Sequence, residues 1–81
     1  MTEVVLYGKA GCHLCEEARE VVESVRARRA FDLCEVDVSL DPVLHARYGE
    51  RIPVLAVAGR EVFDYHVDPE ELVRLLDTVG G

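Results

Sequence analysis

Cys12-His13-Leu14-Cys15 places two thiols three positions apart, the spacing that brings both to one face of a helix's first turn. Two chemistries use such a pair. A dithiol can close to a disulfide and reopen, and a thiolate pair can supply part of a metal or iron–sulfur site. The flanking residues favour the first. Lys9 adds positive charge three residues before Cys12, and His13 adds more when protonated. At a helix N-terminus, unpaired N–H groups and the positive end of the dipole also favour thiolate over thiol. A structural zinc site usually takes four protein ligands, so Cys34, His45 and His66 would have to converge on the pair.

For redox chemistry the pair should sit where a strand hands over to a helix. Glu3–Tyr7 is rich in β-branched residues and reads as a buried strand, broken by Gly8-Lys9-Ala10-Gly11. From Cys12 onward, Leu14, Ala18, Val21, Val22 and Val25 mark one helix face. Phe31–Val38 carries apolar residues on both alternating faces, which predicts a strand covered on both sides, with Cys34 as a small buried hydrophobe. Asp41-Pro42 caps a short helix running to about Tyr48 and stopped by Gly49. Val54–Val57 is another buried strand, and Ala58-Gly59-Arg60 turns it into Glu61–Tyr65 as a hairpin. Asp68-Pro69 repeats the cap, and the last helix ends in Gly80-Gly81. The order is β-α-β-α-β-β-α, with a parallel first unit and an antiparallel hairpin in the second half.

Eighty-one residues, 49% of them hydrophobic and 31% charged, describe one small globular domain over residues 1–81. A net charge of −7 opposes binding to nucleic acid or anionic membranes. No stretch is long enough to span a bilayer, and the N-terminus lacks the features of a secretory signal, so the expected location is cytoplasmic. Three cysteines are too few for a disulfide scaffold in a reducing cytosol. The expectation is a monomer with no nucleic-acid or membrane partner and no tightly bound cofactor.

Tyr7-Gly8-Lys9-Ala10-Gly11-Cys12 is similar to the glutaredoxin run Tyr-Ser-Lys-x-x-Cys. Arg51-Ile52-Pro53 is similar to the segment of the thioredoxin-fold superfamily whose proline is cis and faces the dithiol. Over nearly its whole length the chain resembles the glutaredoxin branch, and in particular the short bacterial glutaredoxin-like proteins. The resemblance implies an α/β thioredoxin-like fold: a four-stranded mixed sheet with helices on both faces. It implies a thiol–disulfide oxidoreductase in which Cys12 is the nucleophile and Cys15 resolves the mixed disulfide. Lys9 and His13 would activate the pair. Ile52 and Pro53 would hold the substrate strand, Leu14 stands where an aromatic lines the glutathione groove, and Asp68 stands where an acidic residue holds glutathione's γ-glutamyl end.

Two departures bear on the substrate. His13-Leu14 replaces the family's Pro-Tyr or Pro-Phe, and Val62–Asp68 lacks the diglycine. Glutathione is therefore one candidate co-substrate, and a thioredoxin-reductase-type reductant is another. The disulfide itself would belong to a protein or to a small-molecule thiol. The resemblance also permits a cluster shared across a dimer, and a non-catalytic adaptor that uses the fold only to bind.

Replacing the family's proline by His13 sets an imidazole beside the nucleophile. A protonated imidazole stabilises the Cys12 thiolate and so makes the disulfide more oxidising, while the helix dipole opposes a cation there. His13→Pro or His13→Ala is expected to make the Cys12–Cys15 disulfide harder to reduce, by at most a few tens of millivolts on a scale where about 30 mV is tenfold in equilibrium constant. Equilibration with glutathione buffers measures it, and an unchanged or raised potential would leave His13 a surface residue.

Overall fold

The chain pairs four strands in the order β2-β1-β3-β4, as a computed structural model of residues 1–80 describes it. Gly81, the second half of the expected helix cap, lies outside the described residues. The elements are β1 (Glu3–Gly8), α1 (His13–Arg26), β2 (Asp32–Asp37), a 3₁₀ turn (Val38–Leu40), α2 (Pro42–Tyr48), β3 (Val54–Val57), β4 (Arg60–Asp64) and α3 (Pro69–Gly80). β1 runs parallel to β2 and antiparallel to β3, and β3 runs antiparallel to β4. This is the mixed α/β sheet that the element order predicts, and its arrangement is thioredoxin-like.

Alternation along the central strands divides the interior in two. Val4, Leu6, Leu55 and Val57 pack with Val22 and Val25 of α1 and Leu72 and Leu76 of α3 in the larger core. Tyr7 and Val54 fall on the other parity and pack with Leu44 and Tyr48 of α2 in a smaller one. Helices therefore cover both faces. A bulge between Leu55 and Ala56 keeps the partner strand in step: Phe63 pairs with Leu55 and adds to the larger core, while Glu61 pairs with Ala56.

The helix starts follow local chemistry. Asp41 Oδ1 accepts the Val43 N–H at 2.9 Å and the Leu44 N–H at 3.4 Å, with Pro42 opening the helix. Asp68 Oδ1 accepts the Glu70 N–H at 3.0 Å and the Glu71 N–H at 3.3 Å. At the hairpin, Ala58 (φ 52°) and Gly59 (φ 82°) form a two-residue turn with positive φ at both positions, as a type I′ turn requires.

β2 corrects one expectation. It is an edge strand, not one covered on both sides: Asp32, Cys34 and Glu35 are exposed and no position is fully buried. Cys34 is consequently exposed rather than a buried hydrophobe. The charges on β2 suit an edge, because they discourage pairing with another chain. No helix among the described residues is long and apolar enough to cross a membrane.

The first turn of α1 comes close to the strand at the end of β1. A Cβ added to Gly8 would lie 3.0 Å from Cys15 Sγ and 3.2 Å from Cys15 Cβ. Glycine here lets the first turn of α1 lie directly on the strand. Replacing a strand glycine by alanine ordinarily stabilises by about 0.5–1 kcal/mol, whereas overpacking costs about 1–3 kcal/mol. Cys15 is fixed in the first turn of α1 with both its Cβ and its Sγ inside that reach, so overpacking prevails. Gly8→Ala is expected to lower the unfolding free energy by about 1–2 kcal/mol, read as a lower urea midpoint at unchanged slope; a raised midpoint would contradict this packing.

Candidate active site

Both cysteines of the pair meet at the start of α1. Cys12 is the residue that caps the helix, with extended backbone (φ −91°, ψ 116°), and its Sγ accepts the Cys15 N–H at 3.4 Å. Serine or aspartate usually fills such a position; here sulfur satisfies one of the helix's unpaired N–H groups. One turn on, the Cys15 thiol donates to Cys12 Sγ at 2.7 Å. A disulfide needs about 2.05 Å between sulfurs, so closure requires only a small shift.

The two sulfurs differ in environment. Cys12 is half-buried, while Cys15 is 8% exposed. Burial, then the hydrogen bond with Cys12, pushes the Cys15 thiol up to about 11, against the opposing pull of the Lys9 backbone N–H. Cys15 is thus held as a neutral thiol across the physiological range.

The smaller core gathers the rest of the site. Cys15 shares it with Val38, Tyr48, Ile52 and Val54, and Cys12 packs against its edge. The Ile52–Pro53 bond is cis. The Ile52 side chain joins the dithiol's cluster, while Pro53 is fully buried beside it in the chain. Among the described residues, neither the N–H nor the C=O of Ile52 has a backbone partner. Tyr48 stacks on Tyr7 (centroids 4.3 Å apart, 20° between planes) and donates its hydroxyl to Glu61 at 3.1 Å. The guanidinium groups of Arg47 and Arg51 lie 5.3 and 5.4 Å from the Tyr48 ring.

The other sequence candidates divide. Lys9 lines a cleft of about 200 Å³ together with Cys15, and its charge acts on Cys15 and on Asp37. His13 points away into solvent, 83% exposed, with Nε2 3.3 Å from Glu17. Leu14 lines a separate shallow groove with Ala18, Val21, His66 and Val67. Asp68 spends one carboxylate oxygen on the start of α3 and is exposed. Among the described residues, no group of three or more His, Cys, Asp or Glu side chains is placed to hold a metal ion.

Three features were not singled out from the sequence. The Tyr7–Tyr48 stack joins residues far apart in the chain and leaves no local pattern. Gly8 looked like an ordinary strand breaker. Asp37, which accepts the Ser39 N–H at 2.9 Å and the Ser39 hydroxyl at 2.6 Å, ends β2 beside the loop that carries Lys9. An Asp-x-Ser signal was there to be read for the turn, though not for its position.

Comparison with known proteins agrees with this fold. An uncharacterised protein of Mycobacterium tuberculosis is 32% identical over 75 residues, covering 86% of this chain and 77% of its own length. A structural-genomics target protein from X. campestris superposes with a TM-score of 0.77 at 36% identity, over 93% of this chain and 96% of that one. Desulfothioredoxin from Desulfovibrio vulgaris Hildenborough, in its reduced form, superposes with a TM-score of 0.70 at 26% identity, over 95% and 80% of the two chains. The chain matches the glutaredoxin-like domain (DUF836) over residues 3–77, and it belongs to that family.

Proposed function

We propose that this protein is a thiol–disulfide oxidoreductase in which Cys12 attacks and Cys15 resolves. One observation carries the reading: two unbonded sulfurs 2.7 Å apart at a helix N-terminus, one half-buried and one buried. The half-buried partner can meet a substrate. The buried one, kept protonated with its thiol at about 11, does not compete for it.

In the first step the Cys12 thiolate attacks a substrate disulfide R–S–S–R′, forming Cys12–S–S–R and releasing R′S⁻, which takes a proton from solvent. In the second step Cys15, having lost its proton, attacks Cys12 Sγ and releases RS⁻. The substrate is reduced by two electrons and the protein leaves as the Cys12–Cys15 disulfide. An external thiol system, either glutathione or a thioredoxin-reductase-type enzyme, returns it to the dithiol. The free main-chain groups of Ile52 suit an extended substrate segment laid beside the dithiol. A soluble disulfide-bearing protein or the disulfide of a small-molecule thiol in the cytoplasm is the substrate class this reading assigns.

The half-sites separate the two roles. Cys12→Ser is expected to abolish disulfide reduction. Cys15→Ser is expected to stop after the first step and accumulate a mixed disulfide on Cys12, seen as the added mass in an intact-protein spectrum that thiol reductant removes. Reversed behaviour of the two variants would invert the assignment, and turnover surviving in both would remove it. Supplying glutathione with its reductase, or thioredoxin reductase, side by side then identifies the reductant.

A further inference from the structure

Cys15 must lose a proton to finish the exchange, yet it is the more deeply buried sulfur. The surface near Cys12 is not the only side from which it is reached. A cleft of about 200 Å³ that Cys12 does not line opens beside the first helical turn, lined by Cys15 with Lys9 and Ala10 of the loop, Arg19 of α1, and Glu35 and Asp37 of β2. That is room for several water molecules, and polar groups on the wall can hold them.

The charges are arranged around this cleft. Arg19 and Glu35 pair with each other across its outer side. Asp37 is held below the usual carboxylate range, first by the Ser39 hydroxyl and then by the Ser39 N–H, with the Ala10 N–H and the Lys9 charge adding to these. A carboxylate so stabilised is a poor proton acceptor; its hydrogen bonds hold the turn that follows β2. From the inner side, Cys15 faces Cys12, Tyr7 and Tyr48. Neither tyrosine is a cation, and of the two cations lining the cleft Arg19 is paired with Glu35, which leaves Lys9 as the positive group beside this sulfur.

We propose that the cleft is the outlet through which the resolving thiol's proton leaves, and that Lys9 is a positioning residue for Cys15 rather than for the nucleophile. The proposal rests on the exchange reaction above. In the Cys12–S–S–R intermediate, the Cys15 proton passes to water in the cleft and on to bulk buffer while Lys9 steadies the growing negative charge. The Cys15 sulfur then forms its bond to Cys12 Sγ, the Cys12–S–R bond breaks, and RS⁻ departs with the electron pair.

The test is a stopped-flow reaction of the fully reduced chain with uncharged dipyridyl disulfide, which releases one coloured thione on attack and a second on ring closure. All proteins carry Cys34→Ser, because exposed Cys34 would add its own release. Lys9→Gln is expected to slow the second release about tenfold near neutral pH, the change in thiolate fraction that one pKa unit brings. Its pH midpoint moves upward, the first release slows by a smaller factor, and Lys9→Arg restores the second. A first release slowed as much as the second would give Lys9 to Cys12 and overturn the proposal, as would a second release left unchanged. Failure of the wild-type protein to give any second release would instead overturn the exchange reading, and this inference with it.

Discussion

The contact between the first turn of α1 and the end of β1 is the constraint around which the site is built. Cys15 Sγ lies where Gly8 has no side chain, and Cys12 Sγ takes the Cys15 N–H as the helix cap. The helix start, its seat on the sheet and the reactive pair are therefore one arrangement. A bulkier residue at position 8 would disturb all of them together. The same sulfur that satisfies an unpaired N–H is the one offered to a substrate, so reactivity and helix geometry cannot be tuned separately at Cys12.

Two cores hold that contact from opposite sides of the sheet. The larger one fixes the body of α1 through Ala18, Val22 and Val25. The smaller one fixes what faces the dithiol. Tyr48 is buried with its hydroxyl on Glu61, and Glu61 also receives Arg51 at 3.2 Å. Cation–π contacts of this kind are worth about 0.5–1 kcal/mol where exposed, so neither arginine dominates alone. What matters is that they bracket the segment between α2 and β3. The Arg51 N–H bonds to the Tyr48 carbonyl, the Tyr65 N–H to the Pro53 carbonyl, and the Tyr65 hydroxyl to the Glu50 carbonyl. Ile52 sits in the middle of a loop held at both ends.

The sequence was informative wherever the determining interaction is local. Asp41-Pro42 and Asp68-Pro69 announce their helices because a cap needs only the next three residues. The strand Val54–Val57 has the same limits in the structure as in the reading, since a continuous apolar run between turn residues has few alternatives. The dithiol was legible for the same reason: spacing and junction are both local. Where neighbours decide, the reading failed. Leu33 and Val36 alternate with charged residues in a way that fits either a covered strand or an edge strand, and only the sheet order distinguishes them. The exposure of Cys34 follows from that order. Likewise His13 could be placed beside Cys12 in sequence, but rotamer and partner choice put its imidazole near Glu17 instead.

Three cysteines in one small chain occupy three environments, and those differences in surroundings set their chemistry. Cys34 on the sheet edge is open to solvent and has no second thiol beside it among the described residues. Cys12 combines partial exposure with a donated N–H, which suits a nucleophile. Cys15 is buried and its thiol is pushed up to about 11, which suits a group that must wait. In the proposed exchange this inequality gives the reaction its direction. If both sulfurs were equally ready, each could capture substrate, and the order of attack would be lost. Burial restricts first attack to Cys12, and proximity then favours ring closure once the mixed disulfide exists. The substrate's leaving group is released from the exposed side.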